Sequence, residues 1–483
     1  MTPLSTRLSS HSNLAQLSAD WLVAGVFQDS PVEAELDGML GGLLTRLRES
    51  GDLTGKHLEL VPLLNVSGIA AMRLLLVGLG NRANGSRATW HDAFAAALRS
   101  ITGKKTSRVG LAIPETVSPL AVGVGALQGC FGPGIRKTEP SRFAPDELIL
   151  HPAIDEALLN RIRAEGAALT FAKELVNAPP CDLYPETFAA RIAENSRVEC
   201  EIWDENRLRT ERMGAILGVA EAAARPPRLA ILRYRTAGDA PTLALVGKGV
   251  TFDSGGLSLK TNDQMADMKC DMAGAAAVVA AIHAAADLNL KVNLLGVMPL
   301  VENMPGGRAL KLGDVLKARN GKTIEVLNTD AEGRLILADA LAYAAEQKPG
   351  HIVDLATLTG SCMMALGTEI AGIMSNDLKW SERLQATAKQ AGERLWPLPM
   401  DDDFAANLKS NVADIKNVGA NRYGGAILGG KFLEQFVAGV PWAHLDIAGP
   451  AWADHDSPAK DAGGTGAYVR TLIELAANYS NSN

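Results

Sequence analysis

The sequence predicts an α/β protein of two domains, each a mixed, largely parallel sheet flanked by helices. Three observations lead there. Short apolar runs bounded by glycine alternate with longer helical patterns, the signature of strand–helix–strand units. The chain has 483 residues, more than one ordinary core accommodates. Hydrophobic residues make up 47% and charged residues 21%, the balance of a folded protein rather than a disordered one.

The first alternation starts early. Leu74-Leu75-Leu76-Val77 reads as a buried strand stopped by Gly78 and Gly80. Residues 88–101 read as a helix, 109–113 as a strand and 119–130 as a helix. Residues 135–150 are rich in proline and charge, which marks a boundary. A long helical pattern over 154–176 follows, and Pro179-Pro180 stops it. The expected organisation is an N-terminal α/β domain (1–150), a connecting helix (151–180) and a second α/β domain (181–483). In the second domain, strands are expected at 229–232, 242–246, 292–297, 323–326 and 352–355, with helices at 272–284 and 335–345.

Several function classes drop out on composition. The net charge of −7 gives no global attraction to nucleic acid or anionic membrane. Lys104, Lys105 and Arg108 are a local exception that keeps a nucleic-acid reading in view. Apolar runs such as 272–282 are too short and too rich in glycine and alanine to span a bilayer. The N-terminus lacks the charged start and apolar stretch of a signal peptide, so cytoplasm is the expected compartment. The five cysteines are scattered without a CxxC pair, which argues against a disulfide framework or a thiolate zinc site. Neither HExxH nor Gly-x-Ser-x-Gly occurs. Gly78-Leu79-Gly80-Asn81-Arg82-Ala83 has the form of a dinucleotide fingerprint. The acidic residue such a fingerprint needs at the end of the next strand arrives late, after Pro114, so a tight turn is the better reading.

Two segments carry chemistry. One runs from Val246 through Lys248, Asp253, Gly255, Gly256 and Lys260 to Met268-Lys269-Cys270-Asp271-Met272. The other is Asn328-Thr329-Asp330-Ala331-Glu332-Gly333-Arg334-Leu335. Both are expected to start where a strand ends, the place where open α/β sheets gather their sites. Asp330, Glu332 and Arg334 alternate, so in an extended segment they would share one side. Singly, each carboxylate reads as a loop charge on a solvated face. Gathered together, Asp253, Asp271, Asp330 and Glu332 would repel one another and require cations. Lys248, Lys260 and Arg334 supply some charge, and hard carboxylate ligands in this number suit one or two divalent metals.

At these residues the chain closely resembles the cytosolic leucine aminopeptidase family. The octapeptide 328–335 matches its signature without a change. The Lys248–Lys260 segment, 268–272, Asp354-Leu355-Ala356-Thr357-Leu358-Thr359-Gly360 and Trp442-Ala443-His444-Leu445-Asp446-Ile447-Ala448-Gly449 also match. Gly306 stands where the family usually has serine, and Lys311-Leu312 where Arg-Pro is usual; neither touches the proposed ligands.

The resemblance implies a catalytic C-terminal aminopeptidase domain in a cytoplasmic homohexamer. It implies hydrolysis of the N-terminal bond of peptides with Leu-like or other apolar first residues. Two divalent metals, Mn²⁺ or Zn²⁺, would share a water that serves as nucleophile. One metal would be bound by Lys248, Asp253, Asp271 and Glu332. The other would be bound by Asp253, Asp330, Glu332 and the Asp330 carbonyl. Lys260 and Arg334 would be the catalytic residues outside the ligand set, with Arg334 holding a bicarbonate as general base. Met268, Thr357, Leu358, Gly360, Ala448 and Ala451 would line the substrate pocket. The alternatives are a DNA-binding protein using the 104–108 cluster, or a structural relative with dispensable peptidase activity. Intact site residues argue against the second.

Overall fold

The computed structural model describes residues 6–479. The chain forms two compact units. Among the described residues, one comprises Phe171–Ala453 and 463–479, the other 6–170 and Asp454–Ala462. The first division falls inside one helix, Glu156–Asn177.

The N-terminal unit holds a six-stranded sheet in the order Arg7–Ser10, Glu147–His151, Arg108–Ala112, Trp21–Phe27, Arg73–Gly80, Leu60–Leu64. Neighbours are parallel except in the last pair. Gly78 does not stop its strand, which runs on to Gly80. Its lack of a side chain serves a close crossing instead, because a Cβ there would sit 1.9 Å from the Lys56 carbonyl oxygen. Helix Arg87–Ile101 starts at a Ser86 capping box, and helix Pro119–Cys130 starts at a Ser118 cap with proline in its first turn. The two pack backbone to backbone. A Cβ on Gly125 or Gly129 would meet the His91 or Ala95 carbonyl oxygen at 2.2 or 2.5 Å. The basic run is partly neutralised, since Arg108 Nε lies 3.1 Å from Glu147 Oε2.

The larger unit is built on a nine-stranded mixed sheet. Its order is Leu395–Pro397, Ala371–Ser375, Trp442–Asp446, His351–Ala356, Thr242–Gly247, Asn293–Asn303, Arg228–Arg235, Glu199–Trp203. Trp442–Asp446, His351–Ala356, Thr242–Gly247 and Asn293–Asn303 form its parallel centre. The ninth strand, Gly249–Asp253, pairs with the second half of Asn293–Asn303. One central strand therefore has two successive partners along one edge, and Lys248 stands at the break between them. Helices Ala273–Asp287 and Gly333–Glu346 are buried almost all round, so their composition is apolar on every face rather than striped. That burial accounts for the apolar 272–282 run.

One expected strand lies elsewhere. Thr323–Glu325 belongs to a separate three-stranded sheet with Val315–Lys317 and Ile415–Lys416. The octapeptide therefore does not leave a strand of the central sheet. A three-residue β run is too short to declare its partner.

His283, in the middle of helix Ala273–Asp287, is fully buried. Its Nε2–H donates to the Ile192 carbonyl (3.1 Å), its ring packs on Phe171, and Nδ1 has no partner. Burial pushes its pKa down to about 4. The folded protein therefore binds this proton less well than the unfolded chain. Its contribution to stability is fully present above about pH 6.5 and falls as pH drops from there through 4, by roughly 3 kcal/mol at most. His283→Gln keeps an Nε2 donor without titrating. Melting curves between pH 7 and 4 are expected to be flatter for it, and equal slopes would exclude His283 as the cause.

Candidate metal centre

Strand Thr242–Gly247 ends against helix Ala273–Asp287 so closely that a Cβ on Gly247 would lie 2.5 Å from Ala275 Cα. At the next residue, Lys248 N donates to Leu355 O (3.0 Å) and Lys248 O accepts from Ala275 N (2.9 Å). The side chain is thereby sent past the sheet edge. It runs along Gly333, where a Cβ would meet Lys248 Cε at 2.5 Å, so only glycine leaves room for the stem. Lys248 Nζ then reaches Asp271 Oδ1 (2.8 Å), Glu332 Oε1 (2.9 Å) and the Thr357 carbonyl (2.9 Å).

The second lysine closes the other side. Gly255 and Gly256 adopt positive φ (84° and 63°), a turn that glycine makes without strain. The turn brings Lys260 Nζ to Asp253 Oδ2 (2.8 Å) and onto Asp330 Oδ1. Asp253 Oδ1 accepts from Gly255 N and from Asn303 Nδ2, both at 2.8 Å. Thr329 stitches the two loops together: its Oγ1 donates to Gly255 O (2.7 Å) and accepts from Ser258 N (2.8 Å).

Four carboxylates and two ammonium groups thus share one place. Asp253, Asp330 and Glu332 each offer an oxygen within 4.8 Å of the others'. Asp271 lies across Lys248 from Glu332, and its Oδ1 also accepts from Thr357 Oγ1 (2.8 Å). Burial works against the Lys248 ammonium, but Asp271, Glu332 and Asp253 outweigh it and hold its pKa above the usual lysine range. Lys260 is raised in the same way, against burial, by Asp253 and Asp330. Burial, reinforced by neighbouring carboxylates, pushes Glu332 and Asp271 up. Asp271 Oδ2 and Glu332 Oε2 are buried without a hydrogen-bond partner. A buried acceptor left unpaired is costly, and a hard divalent cation satisfies such oxygens. The donor set therefore fits metal.

Arg334 departs from the expected arrangement. Glu332 is already in helical conformation (φ −76°, ψ −34°) as the cap of helix Gly333–Glu346. The alternation of 330, 332 and 334 is broken there, because the backbone is no longer extended at Glu332. Its Nη1 donates to the Asn417 carbonyl (2.7 Å), and its Nε has no partner. Burial lowers its pKa to about 10, although Glu332 and Asp446 oppose this.

Among the expected pocket residues, Thr357 is bonded into the cluster, and the backbone N–H groups of Leu358 and Ala448 share the acceptor Asp446 Oδ1. Met268 opens the short turn Met268–Cys270 that leads to Asp271. Gly360 opens to solvent, and Ala451 is almost fully buried. Two positioning residues escaped sequence reading. Asn303 bridges Asp253 and the Thr329 carbonyl (3.0 Å). Asn417 clamps the start of the octapeptide through Leu327 N (2.9 Å) and Asn328 O (2.6 Å). Asn303 sits in a strand beside the departure at Gly306. Asn417 has no local signal.

Comparison with known proteins places this arrangement. Residues 170–473 match the profile described as the cytosol aminopeptidase family, catalytic domain, and 23–131 match that family's N-terminal domain. A probable cytosol aminopeptidase of Rhodopirellula baltica is 46% identical over 89% of this chain and 86% of its own length. One from Solibacter usitatus is 43% identical over 96% and 98%. Among solved structures, the bottromycin maturation enzyme BotP in complex with Mn superposes with a TM-score of 0.86 at 35% identity, over 96% of this chain and 100% of that one. A tomato leucine aminopeptidase mutant gives 0.87 at 33% identity, over 99% and 97%. With both of its domains matched in order and an acidic cluster suited to divalent metal, the chain belongs to the cytosol aminopeptidase family and is a metal-dependent peptide hydrolase.

Proposed function

We propose that this aminopeptidase works with two divalent cations, Mn²⁺ or Zn²⁺, and prefers peptides with Leu-like or other apolar first residues. The observation that carries the reading is the pair of unpartnered buried oxygens, Asp271 Oδ2 and Glu332 Oε2, inside a cage already crowded with carboxylates. Lys248, Asp253, Asp271 and Glu332 would hold one cation. Asp253, Asp330, Glu332 and the Asp330 carbonyl would hold the other. When bound, the pair would make a shared water nucleophilic near neutral pH and polarise the scissile carbonyl.

The chain's own groups do the rest. Lys260 swings from Asp253 and Asp330 to donate a hydrogen bond to the carbonyl oxygen as negative charge builds on it. Arg334, buried with Nε free, would hold a bicarbonate, whose chemistry is that of a general base. Thr357 and Leu358 border the cluster on the side where the N-terminal side chain is received, with Met268, Gly360, Ala448 and Ala451 completing the pocket. A cytoplasmic homohexamer is the assembly this reading carries with it. For DNA binding the support is thin, since Glu147 already pairs with Arg108.

Prolonged chelation is expected to abolish hydrolysis of Leu-Gly-Gly, and added Mn²⁺ or Zn²⁺ to restore it. N-acetyl-Leu-Gly-Gly should resist the restored enzyme, because acetylation removes the amine that would complete the metal coordination. Full activity in protein shown by elemental analysis to be metal-free excludes the two-metal reading. Equal rates on the two peptides exclude the role of the amine.

A further inference from the structure

The loops after strands His351–Ala356 and Trp442–Asp446 leave neighbouring parallel strands, with Ala356 in register with Asp446. One side chain ties both loops. Asp446 is fully buried at the end of its strand. Its Oδ1 accepts from Leu358 N (3.2 Å), Thr359 N (3.4 Å) and Ala448 N (3.2 Å). Its Oδ2 accepts from the Thr359 hydroxyl (2.7 Å). That hydroxyl in turn accepts from Cys362 N (3.1 Å) and caps helix Gly360–Leu366.

The same loop is pinned to the metal centre one residue earlier. Thr357 O accepts from Lys248 Nζ, and Thr357 Oγ1 donates to Asp271 Oδ1. The Leu358 side chain lies against Gly429, where a Cβ would sit 3.0 Å from Leu358 Cδ2. Thr357 is therefore set by the centre, and Leu358, Thr359 and Ala448 are set by Asp446. We propose that Asp446 is the positioning residue for the side-chain pocket: it holds the two walls of that pocket in fixed register with each other and with Lys248 and Asp271. The inference rests on the apolar-preference reading above and deepens it to the origin of that preference.

The chemistry explains why a carboxylate stands here. All four donors are neutral, three of them main-chain N–H groups on one oxygen, so the site needs both carboxylate oxygens as acceptors. Asparagine keeps one acceptor oxygen but places an NH₂ where the Thr359 proton needs an acceptor. The Thr359 hydroxyl then has to turn, and the loop shifts with it. An apolar pocket gains only a modest factor per methylene, so a small shift of its walls is enough to erase selectivity.

The test uses full-length holoenzyme and compares wild type, Asp446→Asn, Asp446→Ala, Thr359→Val and Thr359→Ser. For each, kcat and KM are measured on Leu- and Ala-p-nitroanilide, and bound metal is measured by elemental analysis. In Asp446→Asn the Leu-over-Ala ratio of kcat/KM is expected to fall by roughly tenfold, mainly through KM for Leu, with metal content unchanged. Thr359→Val is expected to show part of that loss, and Thr359→Ser, which keeps the hydroxyl, to recover it. If Asp446→Ala fails to fold, the Asn and Thr359 variants still decide. An unchanged ratio in Asp446→Asn and Thr359→Val with full metal overturns the inference. So does an equal loss on both substrates without recovery in Thr359→Ser, which marks a merely structural role. A wild-type enzyme with no Leu preference removes the reading beneath it instead.

Discussion

Lys260→Ala is expected to lower kcat by a factor on the order of 10²–10³, the usual cost of an oxyanion donor. Metal binding should not weaken with it. Lys260 Nζ sits between Asp253 and Asp330, and their charges hold it protonated against burial. Removing that ammonium takes away a cation that competes for the same carboxylates. Affinity for Mn²⁺ or Zn²⁺ should therefore stay level or rise while turnover collapses. The two quantities move in opposite directions only if Lys260 acts on substrate rather than as scaffold. Elemental analysis beside kcat decides it, and a variant that loses metal together with activity shows that Lys260 is needed to assemble the cage.

Much of this is legible in the sequence. The strands 242–246 and 352–355 and the helices 272–284 and 335–345 carry long, unmixed patterns, and the structure has elements there. The cluster was legible for a different reason: its members sit in two short runs of glycine, carboxylate and lysine, so chemistry and spacing point the same way. Illegible were the pairings between distant segments. Nothing near Asn417 shows that it grips Asn328, and nothing near Asp446 shows that it holds Leu358 and Thr359. Both are interactions of folded geometry, made by residue types that occur everywhere in loops. The shared side of Asp330, Glu332 and Arg334 does not carry over, for a sharper reason. Alternation puts residues on one side only while the backbone is extended, and the helix begins at Gly333. Backbone state at a single residue, Glu332, decides where the guanidinium goes.

The least ordinary proposed ligand gives the largest expected effect on metal. An ammonium has no lone pair, so Lys248 can bind a cation only after losing a proton. Asp271, Glu332 and Asp253 hold that proton tightly, despite burial. Metal and proton therefore compete, and affinity should rise with pH by about tenfold per unit for each proton expelled. Lys248→Arg keeps a charge that is not given up. It also brings more atoms into a channel already closed by Gly333 and by the Thr357 carbonyl at 2.9 Å. This nominally conservative change is expected to abolish binding at one of the two sites. Lys248→Ala loses a ligand too, but it leaves the carboxylates without a competing cation. Its remaining affinity should be higher than that of Lys248→Arg and should depend less on pH. Calorimetric metal titrations in buffers of different ionisation enthalpy count the protons released and the sites filled. If Lys248→Arg fills both sites with the wild-type proton count, Lys248 is a counter-ion to Asp271 and Glu332 and the ligand assignment falls.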